Sequence, residues 1–162
     1  MTAASGEELE AISAILSAGR TAAVTTRTAD GALHSRPLAV LDDEFDGILR
    51  FFTGDPSAKT AEIATHPEVN VSVGDGKGWL SLAGTASVTH DRALLDRYWN
   101  PWADAYFDGG RDDPSAALLE VRVATFEYWD LRKPAIAQAF EVLKGIVTKS
   151  EPDLGETRTG EV

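Results

Sequence analysis

In this chain, the residues best suited to chemistry are those of Gly54-Asp55-Pro56-Ser57-Ala58-Lys59. An aspartate followed by proline and then by good helix formers has the order of an N-cap and a first-turn proline. The start of a helix offers backbone amides that the helix itself leaves unpaired; Ser57 adds a hydroxyl and Lys59 a positive charge, so the segment is equipped to hold a phosphate. Taken alone it reads more simply as an ordinary capped helix with a solvated lysine. Arg36 shifts the balance. It stands mid-strand in Ser35-Arg36-Pro37-Leu38, in a chain of formal net charge −11, and a cation on a half-buried strand needs a partner. A phosphate shared with Lys59 would provide one.

Other groupings carry less. Gly74-Asp75-Gly76-Lys77-Gly78 lacks the Gly-Lys-Ser/Thr ending and the following helix of a nucleotide loop, so it reads as a hairpin turn. Asp42, Glu44, Asp46 and Gly47 imitate the opening of a calcium loop, but Thr53 stands where a bidentate glutamate is required, leaving a solvated acidic turn. His34, His66 and His90 are the only histidines, and none pair one helical turn apart, so no metal site is expected. No Gly-x-Ser-x-Gly elbow nominates a serine hydrolase. The absence of cysteine excludes disulfide scaffolds, thiolate zinc sites, cysteine nucleophiles and thiol relays, so any redox chemistry must come from a cofactor.

The elements that must position Arg36 and Lys59 follow from pattern. The length of 162 residues suits one domain, and a hydrophobic content of 43% is enough for one core. Ser5-Gly6-Glu7-Glu8 reads as a capping box, and Leu9, Ile12, Ile15 and Leu16 continue at helical spacing to a stop at Gly19. Strands are expected at Thr21 to Arg27 and Leu33 to Leu41, joined by the Asp30-Gly31 turn, and at Ile48 to Thr53. A helix from Ala58 to Ala64 ends at His66-Pro67. Val69 to Val73 alternates strictly, and the extended pattern resumes from Trp79 to Thr89 with an interruption at Gly84. Asp91 to Tyr98 reads as a helix, and the aromatic stretch Trp99, Trp102, Tyr106 and Phe107 leads to a turn-rich segment. Leu119 to Asp130 is the last long strand. Ile136, Phe140, Leu143 and Val147 mark a closing amphipathic helix, so residues 1–149 form the expected domain and the polar residues 150–162 a flexible tail.

Six strands in hairpin order with inserted helices predict a mainly β fold, an antiparallel barrel with accessory helices rather than a doubly wound sheet. The acidic balance argues against a sequence-independent nucleic-acid binder and against docking to an anionic membrane. The N-terminus has carboxylates where a signal peptide needs basic and apolar residues, and no apolar run is long enough to span a bilayer, so a cytoplasmic address is expected.

Taken in order, Asp30-Gly31, Arg36-Pro37, Phe51-Phe52-Thr53, Ser57-x-Lys59, Gly84-x-Ala86, the Trp99/Trp102 stretch, Gly110-Arg111-Asp112-Asp113-Pro114 and Glu127-Tyr128-Trp129-Asp130 resemble the small general-stress proteins of the pyridoxamine 5′-phosphate oxidase-like split-barrel superfamily. The resemblance covers nearly the whole chain. It implies a six-stranded split barrel and a homodimer binding flavin mononucleotide (FMN) in clefts between subunits. Arg36, Ser57 and Lys59 would hold the phosphate, while Pro37, Leu38, Phe52 and Thr53 would line the ribityl chain and isoalloxazine. Trp79, Ser81 and Trp129 would reach the flavin from the partner subunit, although aromatic strand residues such as Phe52 and Trp129 more commonly pack in a core.

Two departures separate the chain from true pyridoxamine phosphate oxidases. Leu41 stands where they have a lysine for the substrate phosphate, and Asp130-Leu131-Arg132-Lys133-Pro134 replaces their Arg-x-His element. The resemblance thus points to a flavin-dependent oxidoreductase of another substrate or to a non-enzymatic flavin-sequestering stress protein. A deazaflavin or haem in the same barrel is a third reading, with haem disfavoured because no axial-ligand constellation is evident beyond a lone His34.

Overall fold

The computed structural model describes residues 4–42, 44–130 and 156–162. The first element, α1 (Gly6–Gly19), starts as expected: the Ser5 backbone amide donates to Glu8 Oε2 at 2.8 Å, and the Glu8 amide returns a bond to Ser5 Oγ at 3.3 Å. Its stop differs from expectation. The left-handed residue is Arg20, with φ of 50°, while Gly19 is still helical; a Cβ there would sit 2.5 Å from Val73 Cγ2 and 3.0 Å from the Gly74 carbonyl oxygen. Close approach to the sheet, not turn geometry, requires that glycine.

The strands are β1 (Thr21–Arg27), β2 (Leu33–Ala39), β3 (Ile48–Gly54), β4 (Glu68–Gly74), β5 (Gly78–Thr89), β6 (Ala116–Asp130) and β7 (Glu156–Glu161). They form one antiparallel sheet in the order β2-β1-β4-β5-β6-β3, with β7 beside β6. The sheet curls without closing, as in a split barrel: β2 and β3 are its edges, linked just beyond β2 by the Leu41 amide bonding to the Arg50 carbonyl at 3.2 Å. Strand β6 joins the two halves, since residues 116–122 pair with β3 and residues 125–130 with β7. The segment read as a free tail therefore includes a seventh strand: residues 156–161 bond to a β6 edge that β3 leaves vacant. The helix expected around Ile136 to Val147 lies outside the described residues.

Between strands lie α2 (Ala58–Thr65), α3 (Arg92–Tyr98), α4 (Pro101–Tyr106) and a 3₁₀ turn at Gly110–Asp112. The main core is filled by alternate strand residues, including Val24, Leu49, Phe51, Val71, Leu80, Leu82, Leu119 and Val121, and is capped by Ile12, Ile15 and Leu16 of α1. A smaller cluster on the other side of β3 and β6 joins Phe52 and Leu118 to Leu95, Trp99, Ala103 and Phe107. No described helix is long and apolar enough to cross a membrane.

The pairing of β5 with β6 shifts register between Ala83 and Gly84. A Cβ on Gly84 would run into the Arg122 carbonyl oxygen and lie 2.9 Å from its carbon. Both atoms belong to a central strand and have little freedom to yield, so Gly84→Ala should cost roughly 1–3 kcal/mol by overpacking. Urea titration measures this directly, and an unchanged midpoint would show that the bulge absorbs the methyl group.

Candidate functional site

Helix α2 carries the segment from which the chemistry was read. Its N-cap is Ser57, not Asp55: Ser57 Oγ accepts the Thr60 amide at 3.3 Å, and the Ser57 amide donates to Thr60 Oγ1 at 2.9 Å. Pro56 precedes the helix through a cis bond, and Asp55 turns instead to His90, whose Nε2 lies 2.8 Å from its carboxylate. His90 Nδ1 contacts the Ala116 carbonyl at 3.2 Å, so this imidazole ties the approach to α2 onto β6. Its hydrogen bond is the main reason the Asp55 carboxyl titrates below the ordinary aspartate range. With Thr60 capped, and Ala61 bonded to the Ser57 carbonyl, the amides of Ala58 and Lys59 remain as the first-turn donors without an intrahelical partner.

Lys59, one turn before Glu62 on α2, is partly buried, and among the described residues no carboxylate lies within ion-pair distance of it. Burial, and secondly the nearby Arg36 charge, push its ammonium below the usual lysine range. Arg36 rises from β2 toward the same place. Its Nη2 lies 3.0 and 2.9 Å from the two Glu62 carboxylate oxygens, and its Nη1 donates to Thr26 Oγ1 at 2.6 Å. Thr26, 1% exposed, in turn donates to Glu62 Oε2 at 2.6 Å. The partner that Arg36 needs is thus supplied within the chain. Glu62 and Thr26 were missed in the sequence, although the three-residue step from Lys59 to Glu62 would have placed both on one helix face.

The remaining predicted residues fall in different places. Leu38 packs against the main core, and Thr53 is buried with its hydroxyl donating to the Gly54 carbonyl at 3.2 Å. Phe52 belongs to the second cluster, edge-on to Trp99 with ring centroids 5.7 Å apart. Pro37, Trp79, Ser81 and Trp129 lie on the outer face of the sheet. There Trp79 is opposite Trp129, and Ser81 is opposite both Ser72 and Glu127. Small polar side chains cross this face: Thr25 meets Ser35 at 2.8 Å, Asn70 donates to Ser81 at 2.9 Å, and Ser72 donates to Asn70 at 2.8 Å. Trp79 is 51% exposed. One copy of the chain therefore gathers Arg36, Ser57 and Lys59 but holds Trp79, Ser81 and Trp129 apart from them.

Gly74 to Gly78 joins β4 to β5 as the expected hairpin turn. Asp75 Oδ1 accepts the amides of Lys77 and Gly78 at 2.8 and 2.6 Å, as a hairpin turn requires. The acidic turn is not simply solvated as expected: Asp46 is exposed, but the Asp42 side chain is 5% exposed, and both pair with Arg50.

The model of the pyridoxamine 5′-phosphate oxidase-like family matches residues 7–153. The chain belongs to that family. Its relatives include protein bli-3 of Neurospora crassa, 29% identical over 94% of this chain and 78% of that protein. A solved structure from Jannaschia sp. CCS1 superposes with a TM-score of 0.74 at 24% identity, covering 98% of this chain and all of that one, and shows the same fold. Another, described as the general stress FMN/FAD binding protein of Xanthomonas citri, is 27% identical with a TM-score of 0.69, covering 80% of this chain and 93% of that one. The split barrel is thus common to the chain and these solved structures.

Proposed function

We propose that this family member binds FMN, holding the phosphate between Lys59, Arg36 and the first-turn amides of α2. The observation that carries the reading is Lys59: a partly buried ammonium without a carboxylate partner among the described residues, next to Arg36 at a helix start. The phosphate-free part of the flavin would extend toward Pro37, Leu38, Phe52 and Thr53. Phe52 and Leu38 would contribute apolar packing to the edge of that cleft rather than a polar contact.

Two clefts of the described residues, one of about 500 Å³ beside Asp42 and Tyr98 and one of about 360 Å³ beside Asp55 and Thr60, include neither Arg36 nor Lys59 in their walls. A second copy would complete the site, laying its outer sheet face, with Trp79, Ser81 and Trp129, across the flavin. The half-exposed Trp79 and the row of small polar side chains favour such an interface over open solvent. When bound, the isoalloxazine would supply two-electron redox chemistry in the cytoplasm; the protein would orient it and shield it from water. No pyridoxamine-phosphate activity is proposed, because Leu41 has no charge for a second phosphate.

The visible absorption spectrum of freshly purified protein, followed by mass spectrometry of what denaturation releases, tests the reading. FMN near one per chain is expected. A colourless protein that also refuses added FMN would leave only the fold. Turnover with NADH or NADPH would then establish an oxidoreductase, and slow stoichiometric bleaching a flavin-sequestering protein.

A further inference from the structure

Glu62 is placed unusually for a site that would bind an anion. Its side chain, 12% exposed, faces the 27% exposed side chain of Arg36. Together with Thr26 it closes a ring across three elements: guanidinium to carboxylate, guanidinium to hydroxyl, hydroxyl to carboxylate. Within this ring the Thr26 hydroxyl both accepts and donates, and both Glu62 oxygens face Arg36 Nη2. His34 Nδ1 approaches the same carboxylate at 3.7 Å from the exposed side. Lys59, one turn away, stays outside the ring. Two cations and one carboxylate therefore face the proposed phosphate position.

We infer that Glu62 is the protein's own counter-anion for Arg36, and that it sets how tightly the Arg36–Lys59 pair holds a phosphate monoester. This rests on the phosphate reading above. In the empty protein a mostly buried guanidinium beside a partly buried ammonium would repel its neighbour and lack solvation; Glu62 removes that cost and fixes the side chain. When a phosphate arrives, the same carboxylate competes with it for the Arg36 donors and repels it at short range, lowering affinity. Arg36 keeps its Nε–H and part of its Nη edge for the ligand, so loading does not require the ring to open fully.

The test titrates flavin-free protein with FMN and with riboflavin, which lacks the phosphate, following quenching of flavin fluorescence. Glu62→Gln keeps the shape and one acceptor for Arg36 but removes the charge. It should tighten FMN binding about tenfold and leave riboflavin binding within about twofold. Glu62→Asp, which keeps the charge but withdraws it by one methylene, should fall between Gln and wild type, and it decides the matter if the Gln variant does not fold. FMN binding that is unchanged or weaker in the variants would overturn the inference, as would equal tightening of FMN and riboflavin, since a merely structural role moves both ligands together. Wild-type protein that binds FMN no better than riboflavin would overturn the phosphate reading itself. A wild-type preference for FMN with an indifferent Glu62→Gln would leave that reading standing and remove only the counter-anion.

Discussion

Replacing Lys59 by alanine should weaken FMN binding about ten- to a hundredfold, the loss of a charge-assisted hydrogen bond of roughly 1.5–3 kcal/mol. The expectation follows from where the ammonium sits. Burial and the neighbouring Arg36 both disfavour its charge in the empty protein, the Glu62 carboxylate one turn away offsets this only in part, and no described carboxylate comes within ion-pair distance. A bound phosphate would, so the interaction should be stronger than that of an exposed lysine. The same reasoning gives the variant a second signature. Without ligand, Lys59→Ala should melt no lower than wild type, because the side chain it removes is poorly solvated, while the rise in melting temperature on adding FMN should shrink. Lys77→Ala, in the exposed hairpin turn, serves as a control with unchanged affinity. Titration calorimetry reads the first effect and a thermal melt the second; if Lys59→Ala binds FMN as wild type does, Lys59 is no part of the site.

Arg50→Ala should cost about 3 kcal/mol of stability, within the range found when one member of a buried ion pair is removed. Arg50 is 9% exposed on β3, and its guanidinium reaches Asp42 at 2.8 Å, Glu120 at 3.2 Å and Asp46 at 3.4 Å. The Asp42 side chain is 5% exposed, so deleting the arginine leaves that carboxylate uncompensated. The loss stays near the lower end of the range because Asp42 retains two donors, the Arg50 backbone amide and the Tyr98 hydroxyl, both at 2.8 Å. Burial, with the Asp42 contact next, also raises the Tyr98 phenol above its ordinary range, so it stays a donor at neutral pH. Guanidinium unfolding curves measure the change. A loss under about 1 kcal/mol would mean that Asp42 regains water when Arg50 is gone.

The two expectations differ in how they could have been found. The Lys59 segment announced itself, because a capped helix start with a nearby cation is a local pattern. Arg50 did not: its partners come from the segment before β3, at Asp42 and Asp46, and from β6, which is 70 residues away at Glu120. Similarly, the sequence showed Arg36 as a strand cation in need of a partner, but not that Glu62 supplies one within the chain. Helix α2 had to be packed against β1 and β5 before that carboxylate could be seen to face the guanidinium.

Local interactions explain what the sequence by itself determined. The capping box at Ser5 and Glu8, the alternation of Val69, Val71 and Val73, the hairpin turns at Asp30-Gly31 and Asp75-Gly76, and the helix start near Ser57 each depend on residues a few positions apart. The family, too, was legible in the order of those segments. Only the tertiary structure decided the choices that rest on distant neighbours. Gly19 is required by the strand packed against it and the left-handed stop falls to Arg20, and Asp55 leaves its expected capping role for His90. A polar C-terminal segment becomes β7 because β6 outruns β3 and offers unpaired backbone groups. Arg36 finds its counter-anion for the same reason: such partners are chosen by proximity in space and by the cost of leaving a buried polar group unpaired, and neither quantity exists until the chain has folded.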